Sequence, residues 1–263
     1  MRLFWAIVTL SLRRHLTYRA ATWAGLATNV FFGLLRAVVM VALFAGEGMV
    51  AGMTLQDAIT FTGLSQAVIA YLSIFGWYEV MNSVYTGEVA VDLLRPLGYF
   101  RFWLAVDLGR ALVALVLRGA SVMLIYALFV DIAVPSHPTQ WLALAVAILL
   151  SWLVSFTYRF LVNLSAFWTP NAAGIGRAAF GITWVLSGFY MPLRIYPEWF
   201  QALCRMTPFP SMVNIPVEVF LGLVSGPDLL LALLNQLLWA VALMLLSHFI
   251  LRRGVHRLVI QGG

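Results

Sequence analysis

From residue 22 to residue 45 the chain carries one charge, Arg36, in an otherwise largely apolar run. As a helix rising about 1.5 Å per residue, this run is longer than the roughly 30 Å hydrocarbon core of a bilayer. Comparable runs occupy 57–84, 104–130, 140–165 and 228–250, and a shorter one 178–193. Only 10% of the residues are charged and 63% are hydrophobic, against roughly 25% charge in a soluble domain. The expectation is an all-α integral membrane protein: one transmembrane domain over 1–263 with six transmembrane helices and no soluble domain.

Residues 1–20 begin apolar, from Leu3 to Leu12, and turn basic at Arg13, Arg14, His15 and Arg19. The apolar part is too short to span and no small-residue cleavage site follows it. A cytoplasmic interfacial helix with snorkelling arginines is therefore expected, not a signal peptide. Six spans put both termini on one side of the membrane. Arg2, Arg13, Arg14, Arg19, Arg95, Arg101, Arg177, Arg252, Arg253 and Arg257 fall on that side, against Arg194 and Arg205 on the other. By the positive-inside rule both termini are cytoplasmic. The net charge of +6 then belongs to topology, and nucleic acid is not an expected partner.

All sixteen basic residues are arginine. Without lysine the chain has no P-loop, and Schiff-base catalysis is excluded. The single cysteine, Cys204, excludes an internal disulfide and a multi-cysteine metal site. His15, His137, His248 and His256 never form His-Glu-x-x-His, so no metal and no catalytic residues are assigned. Ser187-Gly188 is similar to the Gly-x-Ser-Gly of rhomboid proteases, but Val185 replaces the first glycine. His248 facing Ser187 would be needed to keep that reading alive.

Between the second and third runs lies a charged island, Gly87-Glu-Val-Ala-Val-Asp-Leu-Leu-Arg-Pro96. It is too polar to span. On a helix Glu88, Asp92 and Arg95 share one side, Gly87 can end the preceding helix, and Pro96 stops this one. The island reads as a helix of about two turns at the membrane surface, its charges offered to the water. A solvated connecting turn fits the same residues.

Two arginines, Arg36 and Arg118, lie near mid-span, where a charge costs about 2.5–3.5 kcal/mol or more without a partner. They either line the path of an anionic or amphipathic substrate, or pair within the bundle, or snorkel to an interface if the span bounds are shifted. Arg159 is set to pair with Glu79, at similar depth, and Asp107 with Arg110 along their own helix. A further signal is the broken segment 187–209, holding Ser187, Gly188, Pro192, Pro197, Trp199 and Pro208. Prolines at 197, 208, 210 and 216 cut 194–226 into pieces too short to span. Broken backbone at membrane depth must be buried in protein or line a wet cavity. The segment is therefore either extracytoplasmic and re-entrant or an outer loop with interfacial aromatics.

Ser-Gly, Pro-Leu, aromatic-Pro-x-Trp and Pro-Phe, in this order before the last of six spans, resemble the membrane subunits of ABC type-2 exporters. Tyr196 stands where phenylalanine is common in that group. The island at 87–97 and the basic N-terminal helix resemble the same small six-span permeases without a fused ATPase. The resemblance implies a permease of a bacterial-type cytoplasmic (inner) membrane, working with a second permease subunit, identical or homologous, and two copies of an ABC ATPase subunit. ATP and Mg would bind that partner, with no cofactor in this chain. It implies that residues 85–102 form a cytoplasmic coupling segment and that Glu88, Asp92 and Arg95 dock on the ATPase. The alternatives are a stand-alone secondary transporter, which would favour acidic residues at mid-span, and an intramembrane enzyme.

Overall fold

The computed structural model describes residues 1–17, 19–46 and 48–258; Glu47, between the first two apolar runs, lies outside them. The described residues are helices and connections without a strand. In chain order the helices are α1 (Arg2–Thr17), α2 (Arg19–Leu43), α3 (Leu55–Leu72), α4 (Glu79–Tyr85), α5 (Val89–Leu93), α6 (Tyr99–Ala114), α7 (Ser121–Phe129), α8 (Pro138–Asn163), α9 (Ala172–Leu186), α10 (Glu198–Arg205), α11 (Asn214–Leu221) and α12 (Gly226–Val255). One π-helical turn, Leu115–Ala120, joins α6 to α7 without interruption. Four stretches are long and apolar enough to cross a membrane: Thr22–Leu43, Tyr99–Phe129, Pro138–Phe167 and Gly226–Val255. α9 is a shorter apolar helix.

The second apolar run, expected as one span over 57–84, is broken. α3 starts on a reciprocal cap: Asp57 N donates to Thr54 Oγ1 at 3.1 Å, and Thr54 N donates to Asp57 Oδ2 at 2.9 Å. It ends at Ser73, in the left-handed region at φ 55, and Gly76 follows at φ 149, a conformation open to glycine. Four carbonyls at the break, those of Tyr71, Leu72, Ile74 and Trp77, are met by side chains of other helices. Arg110 Nη2 donates to Tyr71 O at 2.8 Å and Ser155 Oγ to Leu72 O at 3.2 Å. Trp184 Nε1 donates to Ile74 O at 3.1 Å and Asn163 Nδ2 to Trp77 O at 2.7 Å. Asn163 Oδ1 also accepts from Met81 N at 3.1 Å, inside α4. This satisfies the requirement that irregular backbone in a membrane protein be paired within protein.

Behind the break sits a buried ionic cluster. Asp107, fully buried, accepts from Arg110 Nε at 2.8 Å, Arg159 Nη1 at 3.1 Å, Arg159 Nη2 at 2.8 Å and Trp152 Nε1 at 2.9 Å. The expected Asp107–Arg110 pair is present. Arg159 is paired with Asp107 and not with Glu79: Asp107 on α6 faces α8 directly, and the bidentate contact fixes the choice. Arg159 also lies 5.2 Å from the Trp77 ring centroid.

α1 is tied to α6 by Ser11 Oγ donating to Val106 O at 2.6 Å. α12 lies along α8, with Ser247 Oγ donating to Thr157 O at 3.3 Å and Gln236 Nε2 to Ala147 O at 3.3 Å. α9 begins at Ala172, whose N–H donates to Tyr85 Oη at 2.9 Å. The segment from Ser187 to Val224 is a chain of short pieces that cap one another. Asn214 N donates to Ser187 O at 3.1 Å, and Leu193 N to Asn214 Oδ1 at 3.2 Å. α11 is buried from Asn214 to Phe220. Gln140 Nε2 from α8 meets its last carbonyls, at 2.6 Å from Phe220 O and 3.1 Å from Val219 O.

Candidate functional site

The charged island forms a single short helix, α5, set between α4 and α6. Its charges divide. Glu88 is exposed, but Asp92 is turned inward and only 6% exposed. Asp92 Oδ2 accepts from Ser83 Oγ at 2.8 Å, and Oδ1 from Arg95 Nε at 2.9 Å. Arg95 is half-exposed and stacks over the Phe102 ring at 4.2 Å. The charge spacing predicts all three charges facing water together; Glu88 and Arg95 do, but Asp92 does not, and Val91 and Leu94 face outward, 64% and 86% exposed. The inversion follows from Val89, which is 1% exposed in the main core and turns the helix so that Asp92 meets Ser83.

α5 is not free to swing. Ser83 fixes it to α4, and Tyr85 at the end of α4 fixes that helix to the turn before α9, its Oη donating to Thr169 O at 3.2 Å while accepting from Ala172 N. α4 in turn begins at the break that ends α3. Ser83, Tyr85 and Asn163 were not singled out in the sequence. Their signal is faint: polar residues at the ends of apolar runs.

Arg36 and Arg118 line one cavity of about 470 Å³, bounded by α2, α3, the π-helical turn and Phe189-Tyr190. Arg36 Nη1 donates to Phe189 O, and Nη2 donates to Thr62 O at 3.1 Å and Ser65 Oγ at 2.6 Å. Its guanidinium lies 4.6 Å from the Phe189 ring centroid. Arg118 is different: its Nε is buried without a hydrogen-bond partner, and it has no ion pair among the described residues. Its guanidinium lies flat on α2 at Gly25, where a Cβ would sit 2.8 Å from Cζ. The π-helical turn carries Arg118 into this position.

In the 187–209 segment, Ser187 is fully buried and Gly188 adopts φ 77 against Asn214. Pro192 opens the short turn Leu193–Ile195, Pro197 precedes α10, and Pro208 precedes the turn Phe209–Ser211. Trp199 is 70% exposed on α10. Arg194 Nε donates to Glu218 Oε1 at 2.6 Å and stitches the segment to α11. His248 does not face Ser187: its ring lies tilted against Phe100, centroids 4.6 Å apart, with Nδ1 2.8 Å from Met244 O of its own helix.

Compared with known proteins, residues 31–262 match a family described as "ABC-2 family transporter protein". No curated protein matches the chain.

Proposed function

The chain belongs to the ABC-2 family of transporter proteins and is an integral, multi-pass membrane permease; on that premise we propose that it is the membrane half of an ATP-driven exporter, energised through α5 by a separate ATPase. Six crossings are proposed: α2, α3 with α4, α6 continuing into α7, α8, α9 and α12. Both termini and α5 then lie in the cytoplasm, by the arginine excess on that side, and 194–226 re-enters from the outer face of a bacterial-type inner membrane. The whole of 1–263 is one transmembrane domain, with α1 as the interfacial helix and 85–102 as the coupling segment. Two permease chains, this one and an identical or homologous partner, enclose a pathway above two ATPase chains. ATP and Mg belong to those partners.

The observation that carries this reading is the exposed face of α5. Val91 and Leu94 turn outward beside Glu88 on a helix whose own acid, Asp92, is spent on holding it in place. Apolar side chains held out on a polar surface mark a protein contact. Glu88 and Arg95 frame that contact as charges, while Asp92 acts as the internal clamp. A push on α5 would pass through Ser83 to α4 and so to the break after α3, where two helix ends are held by side chains that can rearrange. The charges at mid-span are arginines, which favours this reading over a secondary transporter coupled to protons or sodium. The test is purification of the tagged chain from its own cells in mild detergent, with its companions identified by mass. A stoichiometric ABC ATPase supports the reading; a permease isolated without one, under conditions that preserve its fold, contradicts it.

A further inference from the structure

Arg36, Arg110, Arg118 and Arg159 lie well inside the long apolar stretches, away from their ends. Arg110 and Arg159 share Asp107. Arg36 and Arg118 share a cavity with no acidic residue in its lining. We propose that this cavity binds an anionic amphiphile, its phosphate, sulfate or carboxylate head on Arg118 and its apolar part along the aromatic rim. This deepens the permease reading by naming a substrate class, and rests on it only in placing the cavity within a membrane.

Three features converge. The first is an unmet demand. Arg118 makes no hydrogen bond and no ion pair among the described residues, although its Nε is buried. A cation at membrane depth is costly without a partner, and the neighbouring Arg110 makes matters worse by like-charge repulsion. The second is a gradient of satisfaction. Arg36 is already held by the carbonyls of Phe189 and Thr62 and by Ser65. It lies eleven residues beyond Gly25 on α2, three turns and about 16 Å along the same face. The cavity is therefore positive at both ends, with its free donors at the Arg118 end. The third is the wall. Phe32, Phe75 and Tyr190 are 50%, 52% and 46% exposed at the rim, an apolar surface that suits a tail and not a bare inorganic anion. The planar guanidinium fork matches phosphate, sulfate and carboxylate alike. Such a head can arrive on a bilayer lipid or on an exported molecule.

The test uses the full chain in an uncharged maltoside detergent, titrated calorimetrically with dodecyl phosphate and, separately, with dodecyltrimethylammonium. Dodecyl phosphate is expected to bind saturably, one per chain, and the cation not to compete. Arg118→Gln is expected to weaken binding about tenfold or more, the loss of one charge-assisted contact, and Arg118→Lys to recover most of it. Because Arg118 has no internal hydrogen bond to lose, R118Q should keep the wild-type thermal midpoint. Should it not, Gly25→Ala displaces the guanidinium while keeping both charges, and should weaken binding in the same direction. Repeating the titration in nanodiscs separates the sources. Competition by phosphatidylglycerol against a phosphatidylcholine background assigns the site to bilayer lipid; no competition assigns it to an exported amphiphile. Equal binding by wild type and R118Q, or equal binding of the cationic amphiphile, overturns the proposal. None of these measurements involves an ATPase, so they stand or fall apart from the docking of α5.

Discussion

Ser83 Oγ donates a 2.8 Å hydrogen bond to Asp92 Oδ2 across the turn that separates α4 from α5. Both residues are buried, so the bond is a joint between two elements. Asp92→Ala should loosen α5 without removing it. An unpaired buried partner costs about 1–3 kcal/mol, so the backbone amides of 89–94 should exchange with deuterium roughly ten- to a hundredfold faster, while those of α3 keep their protection. Unchanged exchange in α5 would mean that the bond is incidental.

Asp107 tests the core of the bundle. Asp107→Ala leaves Arg159 buried and uncompensated, a loss of about 3–5 kcal/mol. The double change Asp107→Leu with Arg159→Met removes the carboxylate and its fully buried arginine, leaves Arg110 on the Tyr71 carbonyl, and should be milder than D107A, which strands Arg159 as well. Thermal unfolding of the three proteins in one detergent gives the order: wild type, then the double variant, then D107A. A double variant less stable than D107A would show that Arg159 serves another partner.

Topology can be read with cysteine probes because the native thiol is a quiet background. Cys204 is fully buried, and that burial pushes its thiol up. Met49→Cys and His137→Cys, both at exposed positions, should react with an impermeant maleimide on intact cells. Val91→Cys and His256→Cys, also exposed in the isolated chain, should react only after permeabilisation, and position 91 only once the ATPase has been stripped from it. Labelling at position 91 from outside would invert the proposed orientation.

The apolar runs of α2, α8 and α12 were legible because length and apolarity alone specify a membrane helix, and their bounds lie within a few residues of those expected. The Asp107–Arg110 pair was legible from spacing. The break after Leu72 was not. Residues 73–78 remain apolar enough to pass for helix, and the break is held by distant donors: Arg110 and Ser155 meet the last carbonyls of α3, and Trp184 and Asn163 meet those of Ile74 and Trp77. Nothing local announces them. The island was legible as a short surface helix but not in its orientation. Charge spacing put Asp92 on the wet side, whereas burial of Val89 turns it inward to Ser83. Likewise, the choice of Asp107 over Glu79 by Arg159 depends on how α6 meets α8, a tertiary fact.

α5 is the proposed seat of the ATPase, and its outward face gives the most direct measurement. Glu88→Arg combined with Leu94→Arg changes two exposed residues and leaves Asp92, Ser83 and Val89 in place. Losing anchors of this kind costs about 2 kcal/mol or more, roughly 30-fold in affinity, whereas a surface charge with no partner is worth about 1 kcal/mol at most. Wild type and variant are purified from the same membranes, at equal permease yield, and the ATPase retained by each is weighed. The account predicts a variant that is inserted and folded but has lost its ATPase. A variant that retains the ATPase at the wild-type ratio would contradict it.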